Sequence, residues 1–278
     1  MNSLEPILVT NLFSPLEDKL ITLLKSLSSA EWQAPTVCRL WTVKDIAAHL
    51  LDTNLRRISM LRDRYFGESP GAVNSYEDLV KFLNQLNADW VKAARRLSPA
   101  LIIDLMQLSS QKVCELNGKL DPFGPALFPV TWAGEEQSIM WFDLAREYTE
   151  RWHHQQQIRH AVNKPGIMSH ELYHPVLDTF IRALPYTFKT VEAADGTTLK
   201  LHVKGEAGGS WYLRRSEGAW KLAKAANGSP TAEAVIDEEI AWRLFTKGID
   251  RTAAAQRIEL HGDSSLASRV LDVVAVMA

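Results

Sequence analysis

Apolar residues recur at helical spacing through the first 190 residues and alternate in short runs beyond them. Leu20, Leu23, Leu24 and Leu27 follow Ser14, which reads as an N-cap with Glu17 three residues on, so a first helix is expected there. Thr42, with Asp45 in the capping-box place, opens a second helix from about Val43 to Phe66. Ser75 opens a third, Tyr76 to about Leu97, with Leu79, Phe82, Leu83 and Leu86 at helical spacing. Ser98-Pro99 punctuates, and Ala100 to about Leu116 reads as another helix. Between Asp121 and Gly134, Pro122, Pro125 and Pro129 stand among apolar residues, which predicts a packed loop. A long helix is expected from about Glu136 to Val162, stopped by Asn163 with Pro165 beyond. Ser169 is read as the cap of a further helix toward Phe188, kinked or broken at Pro175.

The period changes after Asp195-Gly196. Thr198–Val203 and Trp211–Arg215 alternate around Gly208-Gly209, which predicts a hairpin. Trp220–Ala225 and Thr231–Ile236 read as further strands and Asp237–Thr246 as a helix stopped by Gly248. Ile258–Leu260 is a short strand, and Leu266–Met277 a last amphipathic helix. The fold class is therefore α + (α+β): a helical bundle over residues 1–190 and a small α+β domain over 191–278.

Composition narrows the function classes. Lys and Arg number 31 against 33 Asp and Glu, a formal charge of −2, which argues against nucleic acid as partner because phosphate contacts need a basic surplus. No apolar run is long enough for a membrane span, and Met1–Ser14 lacks the pattern of a secretory signal. Two isolated cysteines, Cys38 and Cys114, suit a reducing cytoplasm and exclude a disulfide scaffold. Nothing in the sequence sets an oligomeric state.

The long helix carries the candidate chemistry. At about 100° per residue, Glu150 and His154 lie one turn apart on one face, shared with Asp143, Glu147 and Gln157. Met140, Trp141, Leu144, Tyr148 and Trp152 form a separate apolar stripe. A Glu and a His at i, i+4 can reach one divalent cation; equally, they can be an ordinary pair on a solvated helix face. On the second helix His49 shares a mostly apolar face with Ile46, Leu50, Thr53, Arg57 and Met60, so it points inward. A core histidine satisfied by hydrogen bonds is one reading. The other is that His49, Glu150 and His154 converge in the bundle as three metal ligands with open positions left for water or substrate.

Two stretches carry a family resemblance. Trp-Thr-Val-Lys-Asp-Ile-Ala-Ala-His-Leu (41–50) resembles the second-helix motif of the DinB/YfiT-like metal-binding four-helix bundles, closest to the N-terminal domain of mycothiol-dependent maleylpyruvate isomerases. Thr-Glu-Arg-Trp-His-His-Gln-Gln-Gln-Ile-Arg (149–159) resembles the same family's later Glu-x-x-x-His motif, and its Ile-Arg pair sets the register on His154 rather than His153. Gly-Gly-Ser-Trp (208–211), Phe-Thr-Lys-Gly (245–248) and Leu-His-Gly-Asp-Ser-Ser-Leu-Ala (260–267) resemble that isomerase's C-terminal domain, which is similar to sterol carrier protein type two.

The resemblance implies a divalent metal on His49, Glu150 and His154: zinc first, with nickel, iron or manganese also suited to two His and a carboxylate. It also implies a low-molecular-weight thiol cofactor and a small electrophilic substrate. Metal coordination turns a thiol into a thiolate. In an isomerase the thiolate adds to a conjugated cis double bond, allows rotation and leaves; in an S-transferase it stays on the product. His153, about 100° round the helix, reads as an outer-shell or surface residue and Glu147 as an outer partner of a ligating His. Arg57 and Arg214 are candidates for binding a carboxylate of thiol or substrate, with a solvated surface as the plainer role for Arg57. Cys38 and Cys114 read as ordinary small residues, and Trp132 either covers the pocket or packs. No catalytic residue is assigned beyond the metal ligands. Two other functions compete: a metal-dependent hydrolase with Glu147 as base, and a non-enzymatic ligand-binding protein whose Trp211, Trp220, Trp242 and Phe245 are enough for a lined cavity and equally enough for a plain core.

Overall fold

The computed structural model describes residues 4–226 and 228–276. Its helices are α1 (Phe13–Lys25), α2 (Ser29–Trp32), α3 (Val43–Asp63), α4 (Tyr76–Ala94), α5 (Pro99–Asn117), α6 (Met140–Ala161), α7 (His170–Ile181), α8 (Leu184–Thr187), α9 (Glu238–Phe245), α10 (Arg251–Ala255) and α11 (Ser264–Ser268). The strands are β1 (Thr198–Lys204), β2 (Gly209–Ser216), β3 (Ala219–Ala223), β4 (Ala232–Asp237) and β5 (Ile258–Gly262). A helical region thus precedes a mixed sheet with its own helices, the expected class.

The chain groups into two compact units. One comprises residues through Val9, Pro122–Thr149 and Met168–Val276; the other comprises Thr10–Asp121 and Glu150–Ile167. The division falls inside α6.

In the helical unit, α3 begins at the expected capping box: Thr42 Oγ1 accepts from the Asp45 amide, and the Asp45 side chain accepts from the Thr42 amide. It ends earlier than Phe66, at Asp63, because Arg64 turns left-handed (φ 57°). Ser75 and Ser98 cap α4 and α5 as expected. Ser14 does not cap α1; a 3-10 turn over Thr10–Leu12 feeds the helix instead, and Ser14 lies inside it. The core joins Leu20, Leu23 and Leu24 of α1 to Ile46, Ala47, Leu50 and Leu51 of α3, Ile102 and Met106 of α5, and Ile158 of α6.

In the sheet unit the strand order is β3-β2-β1-β4-β5. β1 runs antiparallel to β2 (Leu201 opposite Trp211) and parallel to β4 (Leu201 opposite Ala234). Leu199, Leu201, Val203, Trp211, Leu213, Ala234 and Ile236 are buried, the period-two pattern of a sheet with one covered face. The hairpin turn falls at 205–208, where a side chain at Gly205 (φ +129°) would strike the Glu238 carboxylate; Gly209 already belongs to β2. Phe180 of α7 packs edge-on to Phe245 of α9, and the Tyr173 hydroxyl donates to the Glu238 carbonyl at 2.8 Å.

Two expectations fail here. Helix α7 passes through Pro175 without a break, and the interruption comes at Arg182–Ala183 instead. The last helix stops far short: α11 ends at Ser268, a 3-10 turn covers Arg269–Asp272, and Val273 is extended. The expected end at Met277 lies outside the described residues. No helix among the described residues is long and apolar enough to cross a membrane.

Candidate metal centre

Helix α6 is the least conventional element. From Thr149 to Arg159 it is buried on nearly every side although most of its residues are polar: Arg151, His153, His154, Gln155, Gln156, Gln157 and Arg159 are all buried. The solvated-face reading of this helix is therefore overturned. Burial obliges polar groups to find partners, and α6 finds them inside its own unit. Arg151 Nη1 donates to Glu17 Oε1 (3.1 Å) and to Asn54 Oδ1. Asn54 donates in turn to Ser109 (3.1 Å) and Ser110 (3.0 Å), and Ser110 donates to Glu17 Oε2 (2.6 Å). Arg159 donates to the carbonyls of Lys19, Lys164 and Pro165. This network ties α6 to α3, and those two helices carry the candidate ligands.

His49, nearly two turns into α3, lies with its ring centroid 4.7 Å from that of His154. His154 Nε2 is 3.6 Å from Glu150 Oε2. On its other side, the Nδ1 of His154 is 2.9 Å from Gln157 Oε1. An Nδ1–H donated there leaves the Nε2 lone pair turned toward Glu150, the orientation an outer partner gives a ligating imidazole. Trp41, just before the Thr42 cap, lays its indole 4.9 Å from the His49 ring and 6.1 Å from that of His154.

Electrostatics keep these rings neutral. Burial, reinforced by the neighbouring His154, holds His49 well below the usual histidine range. Burial, reinforced by His153 and opposed by Glu150, pushes His154 down to about 3. Neutral imidazole is the metal-binding form. His49 Nδ1 is buried without a hydrogen-bond partner, so the satisfied-core-histidine reading does not describe it. An orphaned nitrogen, a neutral imidazole beside it and a carboxylate one turn away are the donor types that suit a divalent cation.

Helical angles alone turn His153 away from the Glu150–His154 face. His153 is only 4 % exposed, and its ring centroid lies 4.0 Å from that of His154. Glu150, His153 and His154 each present a ligand atom within 4.8 Å of the others', the one such trio found among the described residues. His153 is thus neither a surface residue nor remote from the ligands. The signal available in the sequence was the absence of an apolar alternative: a His-His-Gln-Gln-Gln run on a helix with few exposed positions.

The remaining candidates have partners of their own. Arg57 is buried, not solvated, and its Nε donates to Asn117 (3.3 Å). Glu147 is engaged by Arg146 (3.1 Å), which also holds Asp143 (2.6 Å). Arg214 sits half-buried on β2, opposite Thr198 and Lys221. Trp132 packs edge-on to Phe142 at 5.8 Å. Burial raises the Cys38 thiol, and burial with the nearby Glu17 charge pushes Cys114 up to about 11, so neither is a ready nucleophile.

Residues 13–159 match the family model of the mycothiol maleylpyruvate isomerase N-terminal domain, more than half of the chain. The chain belongs to that family. All the ligand candidates of this maleylpyruvate isomerase-type domain fall inside the matched segment. The fold is similar to the crystal structure of the mycothiol-dependent maleylpyruvate isomerase (13% identity, 94% of this chain and 95% of that one, TM-score 0.51). It is similar also to a histidine-to-alanine mutant of that isomerase (13% identity, the same coverage, TM-score 0.54). No curated protein matches the chain.

Proposed function

We propose that the protein is a metal- and low-molecular-weight-thiol-dependent isomerase or S-transferase acting on a small electrophilic molecule, with mycothiol and maleylpyruvate as the first thiol and substrate to test. The observation that carries this reading is the convergence of His49, Glu150 and His154 as two neutral imidazoles and a carboxylate inside a family-typed bundle. A cation held there would keep a bound thiol in its thiolate form and present it to an electrophilic carbon. Zinc suits the donor set, and nickel, iron and manganese remain chemically acceptable.

The residues of the chain divide the work. Gln157 holds the His154 ring in one tautomer and orientation. Trp41 covers both ligand rings and limits water around them. The Arg151–Asn54–Glu17 network holds α3 and α6 in register, which fixes how far apart their ligands stand. Arg57 and Arg214 remain the proposed partners for substrate carboxylates.

The proposal keeps residues 1–190 as the metal-binding domain and 191–278 as a sterol-carrier-like domain, although α7 and α8 pack with the sheet. The onset of strands at Thr198 supports that boundary.

The alternatives draw less support. A hydrolase using Glu147 as base must first release that carboxylate from Arg146. Burial of Trp211, Trp220, Trp242 and Phe245 favours the core reading of these side chains over a ligand cavity, and a cleft of ≈ 360 Å³ in the sheet unit is lined instead by residues such as Glu192, Thr197 and Arg269.

The test pairs metal analysis of the purified protein with turnover of maleylpyruvate in the presence and absence of mycothiol. The expected result is one bound cation, lost in His49→Ala and His154→Ala, and turnover only with thiol. A metal content unchanged in both variants would sink the site, and turnover with metal alone would sink the thiol chemistry.

A further inference from the structure

We infer that His153 is a fourth protein donor to the cation, so that the site holds it with three imidazoles and one carboxylate. This rests on the reading of the site as a metal centre and adds a ligand that the family motif does not contain.

Side chains of adjacent residues leave a helix about 100° apart, so neighbours ordinarily serve different surroundings. His153 and His154 do not: their ring centroids are 4.0 Å apart at an interplanar angle of 36°. Both rings have therefore swung toward one place, at a cost in rotamer freedom. That place is buried, since His153 and His154 are both buried. It also holds Glu150, whose carboxylate oxygen lies within 4.8 Å of a ring nitrogen of each histidine.

The trio of Glu150, His153 and His154 is tighter than any that includes His49. His49 of α3 brings its ring within 4.7 Å of that of His154. Helix α6 thus supplies two adjacent imidazoles and a carboxylate, and α3 places a third imidazole beside one of them.

The consequence concerns coordination. Three protein donors leave a zinc ion an open position. With His153 as a fourth donor, the thiol of the proposed reaction would enter as a fifth ligand or in exchange for one of the protein donors.

X-ray absorption of the zinc-loaded full-length protein counts imidazoles directly, and competition with a chromophoric chelator gives affinity. Three imidazoles are expected in the wild type and two in His153→Ala, with affinity falling beyond the ~10–100-fold that loss of an outer-shell partner costs. His153→Asn, which keeps polarity and size, should lose the same imidazole. An imidazole count of two in the wild type overturns the inference without recourse to any variant, as does an equal count in wild type and His153→Asn. If zinc binds with two imidazoles and is lost in His49→Ala, the metal-centre reading stands and only the role of His153 falls. If the wild type takes up no zinc at all, both fall.

Discussion

The second half of α6 and the covered face of β1, β2 and β4 are equally removed from water but made of opposite material. The strands bury Leu199, Leu201, Val203, Leu213 and Ile236. Their contribution is apolar, non-directional and proportional to area. The helix buries arginines, histidines and glutamines, each useful only if a particular partner stands in a particular place. A polar buried helix is a costly way to fill a core, and such departures from local rules concentrate at functional sites. The sheet is built for stability; the second half of α6 is built to hold side chains.

The largest test of that contrast is Arg151→Ala. Removing one partner leaves Glu17 buried and uncompensated, so a loss of about 3–5 kcal/mol is expected in urea denaturation. Replacing the pair together, Glu17→Leu with Arg151→Met, should recover most of it if the network provides register rather than net stability. A double variant as unstable as the single one would show that the hydrogen bonds themselves matter. In the sheet, Leu201→Ala should cost about 2–5 kcal/mol by creating a cavity, and no second substitution at a named partner should be able to repair it.

A smaller effect separates the two regions by ligand. Zinc at about 100 times its dissociation constant should stabilise the protein by about 2.7 kcal/mol, read as a shift in thermal midpoint. His49→Ala should abolish that shift, while Leu201→Ala should leave it in place on a lower baseline. A zinc shift that survives His49→Ala would remove α3 from the site.

The smallest test concerns the chain's own thiols. With its pKa raised to about 11, Cys114 keeps its proton well past neutrality. Alkylation by iodoacetamide should therefore be slow at pH 8, where about one thiol in a thousand is ionised, and should rise roughly tenfold per pH unit toward 11. Fast alkylation at pH 8 would reopen a protein thiol as nucleophile.

Much of this was legible in the chain. The cap at Thr42–Asp45, the helices opened by Ser75 and Ser98 and the alternating strands from Thr198 are local signals, read within a few residues of where they act. The i, i+4 spacing of Glu150 and His154 is equally local. Ser14 failed as a cap because the 3-10 turn before it supplies the first hydrogen bonds, and Pro175 failed as a breaker because its lost N–H bond is outweighed by burial of Tyr173, Val176 and Leu177 around it. The last helix was overextended because an apolar stretch with helical spacing also suits an extended segment packed on a core, as Val273 and Ala275 show.

By itself, the sequence determined the elements, their order, the two kinds of region and the family motif, because all of these are encoded in spacing along one chain. Only the tertiary structure decided that α6 is buried on its polar side, that the His49 ring comes within 4.7 Å of that of His154, and that the His153 ring lies 4.0 Å from it. Burial and convergence depend on which surface of another helix lies opposite, and periodicity describes one helix at a time.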